Sequence, residues 1–194
     1  MNGFVRARSR GAVDKTALRA ELRARLAGLK PMVRAQEEDL VNAAIVSDPD
    51  WRAAATVLVF KAVRTELSVT SVTNDALRAG KRVCFPQVVP SGLALRQVTD
   101  WAQLAPGAFG IPEPTDGCPL VDPADVDVAL VPGLGFTARG QRLGQGGGYY
   151  DRLLPTLGGV AWGVAFDCQV LPELPVELHD RSVDRVVSPS NLSI

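Results

Sequence analysis

The segment 142–152, RLGQGGGYYDR, sets an arginine, four glycines in five positions, two tyrosines and an aspartate side by side. Glycine has no Cβ and reaches positive φ without strain, so a run of glycines lets several backbone N–H groups converge on one anion. Arg142 carries a planar fork of donors that fits two phosphate oxygens at once. Asp151 supplies hard carboxylate oxygens, the donors that hold Mg2+ against a nucleotide. An apolar run, DVALVP (127–132), precedes the segment, and a helix is expected to start near Tyr149. In open parallel sheets ligands sit beyond the carboxyl ends of the strands, and a helix N-terminus adds partial positive charge. The chemistry expected here is phosphate binding, with a tight, non-binding turn as the plain alternative. Two familiar phosphate motifs are excluded. No Lys-Ser/Thr pair follows the last glycine, and the spacing is not that of G-x-G-x-x-G.

The elements that must position this loop are legible in the apolar periods. Asp14 is a suitable N-cap for KTALRAELRARLAGL, in which Leu18, Leu22, Leu26 and Leu29 form one apolar stripe opposite Arg19, Glu21 and Arg23. A second helix is expected from Pro31 to about Val46, with Val33, Leu40, Val41, Ala44 and Ile45 at helical period and Glu37 as its polar exception. TVLVF (56–60) reads as a buried parallel strand, and a helix over about 70–79 ends at Gly80. Further strands are expected at RVCFPQV, LALRQV, DVALVP, VAWGVAF and DRVVS, while 99–125, rich in Pro, Gly and Asp, reads as loop. Alternating strands and helices predict an α/β three-layer sandwich, a mostly parallel central sheet flanked by helices. The chain contains no internal repeat or long linker. It reads as a flexible tail over 1–13, with a short organelle-targeting remnant as the alternative, followed by a single catalytic domain over 14–194.

Composition narrows the partners. The chain has 194 residues, 46% of them apolar, and a formal net charge of zero. A blanket electrostatic partner such as nucleic acid or an anionic membrane is therefore not expected. No apolar run reaches the length of a membrane span. Cys84, Cys118 and Cys168 are dispersed and odd in number, and His179 is the one histidine, so no familiar zinc spacing can be assembled. Reduced thiols, a cytoplasmic location and a monomer are expected. The HD pair at 179–180 reads as a structural polar turn.

LVPGLGFTARGQRLGQGGGYYDRLL closely resembles the signature of the 5-formyltetrahydrofolate cyclo-ligase family. The likeness extends along the chain. KTALRAELRARL resembles that family's opening helix, FKAVRTEL the segment after its first strand, FGIPEP its folate-side loop, and LPVELHDRSVDRVVS its closing segment. The resemblance implies ATP- and Mg2+-dependent conversion of 5-formyltetrahydrofolate to 5,10-methenyltetrahydrofolate. In that reaction the formyl oxygen is phosphorylated, N10 closes the ring, and ADP and phosphate are released. Such a transfer needs positioning and charge neutralisation more than a covalent protein nucleophile.

Carried over residue by residue, the resemblance implies that Lys15 and Arg142 act catalytically. It implies ATP contacts from Lys15, Arg19, Gln141, Arg142, Leu143, Gly144, Gln145, Gly146, Gly147, Gly148 and Tyr149. Folate contacts would come from Lys61, Glu66, Phe109 and the loop residues from Gln145 to Tyr149. Asp151 and Asp184 would bind the metal. Lys15 and Arg19 lie four apart and share a helix face, which a solvated basic face would equally explain. Glu66 suits the N–H and NH2 donors of a pterin. The chain departs from relatives at Gln145, Gly147 and Lys61, and in ELSVT (66–70), where the family more commonly has Glu-x-x-Thr. Some relatives carry Arg or Tyr at the place of Gln145 and Lys at the place of Gly147, and many carry an apolar residue at the place of Lys61. Two other readings stay open at this point: a folate- or nucleotide-binding regulator without turnover, and a sugar-phosphate enzyme on a related α/β fold.

Overall fold

The computed structural model describes residues 14–63 and 65–192, so the expected tail over 1–13 lies outside the described residues. Helix α1 (Lys15–Ala27) starts on Asp14, whose side chain accepts the Thr16 N–H, and buries Leu18, Leu22 and Leu26. Helix α2 (Pro31–Ser47) opens on its proline and buries Val41 and Ile45. Leu40, one step round the helix, is 53% exposed and drops out of the expected stripe. Asp48 then ends α2 and caps the short α3 (Pro49–Ala53), which buries Trp51. Helix α4 (Thr70–Arg78) is followed by Gly80 at φ 74°, as the sequence predicts.

The strands are β1 (Thr56–Leu58), β2 (Arg82–Val89), β3 (Gly92–Gln97), β4 (Leu104–Pro106), β5 (Pro112–Pro114), β6 (Leu120–Val121), β7 (Val128–Val131), β8 (Gly135–Thr137), β9 (Arg142–Leu143), β10 (Val160–Val164), β11 (Val170–Leu171) and β12 (Arg185–Val187). Among the described residues, seven of them form one sheet in the order β12-β10-β7-β1-β2-β3-β6. Neighbours from β12 to β2 run parallel, and β3 and β6 add an antiparallel edge. The expected α/β architecture with a mostly parallel sheet is thus borne out.

Alternation along the strands divides the core in two. Val57, Val83, Phe85, Leu130, Trp162 and Val164 pack with the buried faces of α1, α2 and α4. Leu58, Cys84, Ala129, Val131 and Ala161 pack the other way, against Phe136 of β8 and Leu153 of α5 (Tyr149–Leu153). The two outer layers are unequal. The long helices share one face, and short strands with the single-turn α5 cover the other. At about 25 cal/mol per Å2, a buried Leu or Phe contributes roughly 2–3 kcal/mol, so both faces are needed to hold a sheet of such short strands. No described helix is long and apolar enough to cross a membrane.

Region 99–125 is more ordered than its Pro and Gly content predicts. It contains the antiparallel pair β4–β5, the edge strand β6 and single 3-10 turns at Trp101–Gln103, Ala108–Gly110 and Pro123–Asp125. The opposite end of the main sheet, at the amino ends of its parallel strands, is tied by carboxylates. Asp127 accepts the N–H groups of Ala55 and Thr56, and Asp184 accepts that of Ala161 at 2.7 Å.

Candidate active site

The glycine segment leaves β9 and runs into α5 at the carboxyl-end side of the sheet. Gly146 and Gly148 take φ values of 110° and 65°, which residues with a Cβ rarely adopt. A Cβ on Gly144 would stand 2.8 Å from Arg142 Nη1, so the arginine packs against bare backbone. The loop carbonyls are held from outside. Arg19 Nε donates to Gly144 O at 3.0 Å and Arg152 Nη1 to Gly147 O at 3.3 Å. Arg23 donates through Nη2 to Gln145 Oε1 at 3.0 Å. Among the described residues, none of the amide N–H groups over 144–148 donates to another protein group, so carbonyls are fixed and donors are left open.

Two cavities meet at this loop. One, of about 900 Å3, opens between the ends of β1 and β7 and the strand β2. Its walls include Phe60, Phe85, Pro86, Leu93, Ile111 and Tyr150, with Lys61, Glu66, Glu113, Arg142 and Asp151 among the polar points. The other, of about 670 Å3, lies between α1 and the segment 175–180, lined by Lys15, Arg19, Leu143, Glu177, His179 and Asp180. Gly144, Gly146, Gly148 and Asp151 line both cavities, so the glycine loop is their common wall.

Arg142 stands behind that wall, its side chain 4% exposed. It donates to Pro132 O at 3.1 Å and to both Asp151 oxygens at 3.3 Å, while its Nε is buried without a partner. An orphaned cationic donor at a cavity wall is costly unless an anion completes it. Lys15, the other cation carried over from the family, has its ammonium 2.7 Å from Asp180 and 3.3 Å from Glu177. Burial alone would raise the Asp180 carboxyl, but the Lys15 ammonium and the Glu177 N–H hold it below its ordinary value.

In the larger cavity, burial pushes the Glu66 carboxyl up to about 7, against the opposing pull of the Val63 N–H at 3.1 Å. Tyr150 is raised by burial and then by the Glu66 charge, and its hydroxyl has no partner. Phe109 lies at the mouth, its ring 6.4 Å from that of Tyr149 and edge-on to it. The Lys61 ammonium rests over the Trp101 ring at 4.9 Å.

Most of the expected site residues therefore converge. Lys15, Arg19, Arg142, Leu143, Gly144, Gln145, Gly146, Gly147, Gly148, Tyr149, Lys61, Glu66, Phe109 and Asp151 line one cavity or the other. Gln141 does not: it lies in the β8–β9 turn, bonded to Thr137, and lines neither cavity. Asp184 also departs from expectation. It sits at the amino ends of β10 and β12, across the sheet from Asp151, with its carboxylate committed to Ala161 N–H. The acids that share a cavity with Asp151 are Asp14, Glu177 and Asp180, and Arg181 N–H, one residue beyond Asp180, donates to Asp151 at 3.3 Å. The expected helix dipole is corrected as well. α5 is five residues long, too short to build up a terminal charge, so the loop's own amides and the flanking cations carry the positive character. Among the described residues, no group of three or more His, Cys, Asp or Glu is placed to hold a metal alone.

A parallel sheet with paired cavities beyond its strand ends defines an α/β ligand-binding protein. The family model of 5-formyltetrahydrofolate cyclo-ligases matches residues 12–189. The Escherichia coli K12 5-formyltetrahydrofolate cyclo-ligase is 35% identical over 154 residues, covering 72% of this chain and 80% of that protein. The mouse 5-formyltetrahydrofolate cyclo-ligase is 28% identical over 193 residues, covering 89% and 92%. Among solved structures, the 5,10-methenyltetrahydrofolate synthetase of Aquifex aeolicus superposes with a TM-score of 0.84 at 34% identity, covering 92% of this chain and 91% of that one. The chain belongs to the 5-formyltetrahydrofolate cyclo-ligase family. It is a ligase of folate metabolism.

Proposed function

We propose that the chain converts 5-formyltetrahydrofolate to 5,10-methenyltetrahydrofolate using ATP and Mg2+, with folate in the larger cavity and the triphosphate in the smaller. The observation that carries this reading is the shared wall. A largely apolar cavity with buried carboxylates suits a pterin, a cavity that sets Lys15 and Arg19 beside the open loop amides suits phosphates, and the glycine loop with Asp151 is their common wall. A γ-phosphoryl group and a formyl oxygen presented from opposite sides would meet at that loop.

The residues divide the work. Glu66 accepts from pterin N–H donors, and the Phe109–Tyr149 pair flanks the ring. Lys15 and Arg19 draw phosphate oxygens toward the open amides of 144–148, and the unpartnered Nε of Arg142 gives a further donor where charge develops. Bound ATP supplies the phosphoryl group that turns the formyl oxygen into a leaving group. N10 then bonds to the formyl carbon and loses its proton, the C–O bond breaks, and that oxygen departs with phosphate. The donor set fits Mg2+ as a nucleotide complex: the metal usually takes one or two protein carboxylates plus phosphates and water, and of the carboxylates lining that cavity, Asp14, Asp151, Glu177 and Asp180, the pair Asp151 and Asp180 would hold it. Asp184 has no part in this arrangement. Incubating the protein with ATP, Mg2+ and 5-formyltetrahydrofolate is expected to generate the near-ultraviolet absorbance of the methenyl product. Folded protein giving ligand-induced stabilisation without product would instead support a binding regulator.

A further inference from the structure

Phe109 is the one non-glycine residue with a positive φ, 57°, among the described residues. It sits at the tip of the β4–β5 hairpin and is 78% exposed. A bulky residue in the left-handed region persists only where its surroundings over-determine it. The determinant is Glu113, between the two prolines of β5. Glu113 is 9% exposed, and its two oxygens are taken by different segments. Oε1 accepts Ala108 N–H and Oε2 accepts Val88 N–H, both at 3.1 Å. The side chain passes so close beneath the tip that a Cβ on Gly107 would stand 2.5 Å from its Cδ. The tip closes over it through Gly107 N–H to Ile111 O at 2.9 Å.

We propose that Glu113 is a positioning residue for folate: its carboxylate clamps the hairpin tip to β2 and thereby fixes the Phe109 ring at the cavity mouth, edge-on to Tyr149. The inference rests on the reading of the larger cavity as the folate site. A carboxylate is required because two N–H donors point at it. A glutamine would turn an NH2 toward one of them, and an aspartate is too short to reach both. A pre-set aromatic rim lowers the ordering cost of binding the pterin and leaves the phosphate side untouched.

Three measurements on Glu113→Gln test this. Hydrogen–deuterium exchange over 107–111 is expected to quicken relative to wild type. KM for 5-formyltetrahydrofolate is expected to rise roughly two- to tenfold, the ordering cost of one immobilised side chain, with KM for ATP unchanged. In a Phe109→Ala background, Glu113→Gln is expected to add no further loss in folate KM, because the clamp acts through that ring. Unchanged exchange, a parallel rise in both KM values, or a full additional loss in the Phe109→Ala background each overturns the proposal. Glu113→Asp is the second variant, with the same expected pattern. Failure of both to fold would also overturn it, since a clamp on a hairpin tip does not hold the core. Wild-type protein without methenyl product would refute the folate reading instead, and the exchange comparison would still judge the clamp.

Discussion

Replacing Glu66 by glutamine should make the protein more stable and a poorer enzyme, and the two effects should have different pH dependences. The Glu66 carboxyl is raised by burial from 4.5 to about 7. At about 1.4 kcal/mol per pKa unit, ionising it inside the fold costs roughly 3 kcal/mol more than ionising it in the unfolded chain. The sign follows from proton binding. Between pH 4.5 and 7 the folded protein holds the proton that the unfolded chain has released. This contribution to stability is therefore fully present below the unfolded pKa and is lost as pH rises through about 7. Glutamine has no such cost. The stability difference between Glu66→Gln and wild type should grow in the variant's favour by roughly 3 kcal/mol from pH 4.5 to pH 8, read by urea denaturation at the two values. Binding should go the other way. A pterin donating to the carboxylate loses a charged hydrogen bond in the variant, about 1.5–3 kcal/mol, or roughly ten- to a hundredfold in folate KM at pH 8. In wild type, kcat/KM for folate should rise with pH about a midpoint near 7, because binding requires the ionised form. A stability difference that is the same at both pH values would refute the assigned burial cost. A folate KM unmoved by the variant would refute the carboxylate's contact with the pterin.

Other expectations concern the phosphate side. Asp180→Ala and Asp151→Ala should each lower kcat roughly a hundredfold or more and weaken Mg2+ dependence in titrations. Asp184→Ala should leave turnover within about twofold while lowering stability by about 1 kcal/mol through loss of the Ala161 contact. Equal losses of turnover at Asp180 and Asp184 would contradict this geometry. Lys15→Ala should raise KM for ATP roughly tenfold or more with folate KM unchanged, measured by varying each substrate in turn.

Much of the scaffold was legible because its elements are carried by strong apolar periods. The Leu18–Leu22–Leu26 stripe and the runs at 56–60, 127–132 and 160–166 each report burial directly. The shortest elements were not legible. β8 and β9 have three and two residues, and β5 is Pro-Glu-Pro, so their pairing comes from tertiary contact and not from propensity. Leu40 was misread because it adjoins Val41 in sequence, yet the helix turns it outward. At the site, the glycine loop, Arg142 and Asp151 lie within ten positions and could be read together. Asp184 was assigned from a local segment that also contains Asp180, four positions earlier. Only the fold shows that one faces α1 and the other points toward the far end of the sheet. Glu113 carried a weak signal, an acid hemmed between prolines, and its partners Ala108 and Val88 come together only through the hairpin.

The wall shared by the two cavities has a thermodynamic corollary. Gly144, Gly146, Gly148 and Asp151 touch whatever occupies either side, so ordering that segment for one ligand changes the free energy of binding the other. Linkage makes the effect reciprocal: the factor by which a non-hydrolysable nucleotide alters folate affinity must equal the factor by which folate alters nucleotide affinity. With the cavities occupied as proposed, a partition whose carbonyls are pinned and whose amides are open would also be the means by which each ligand senses the other.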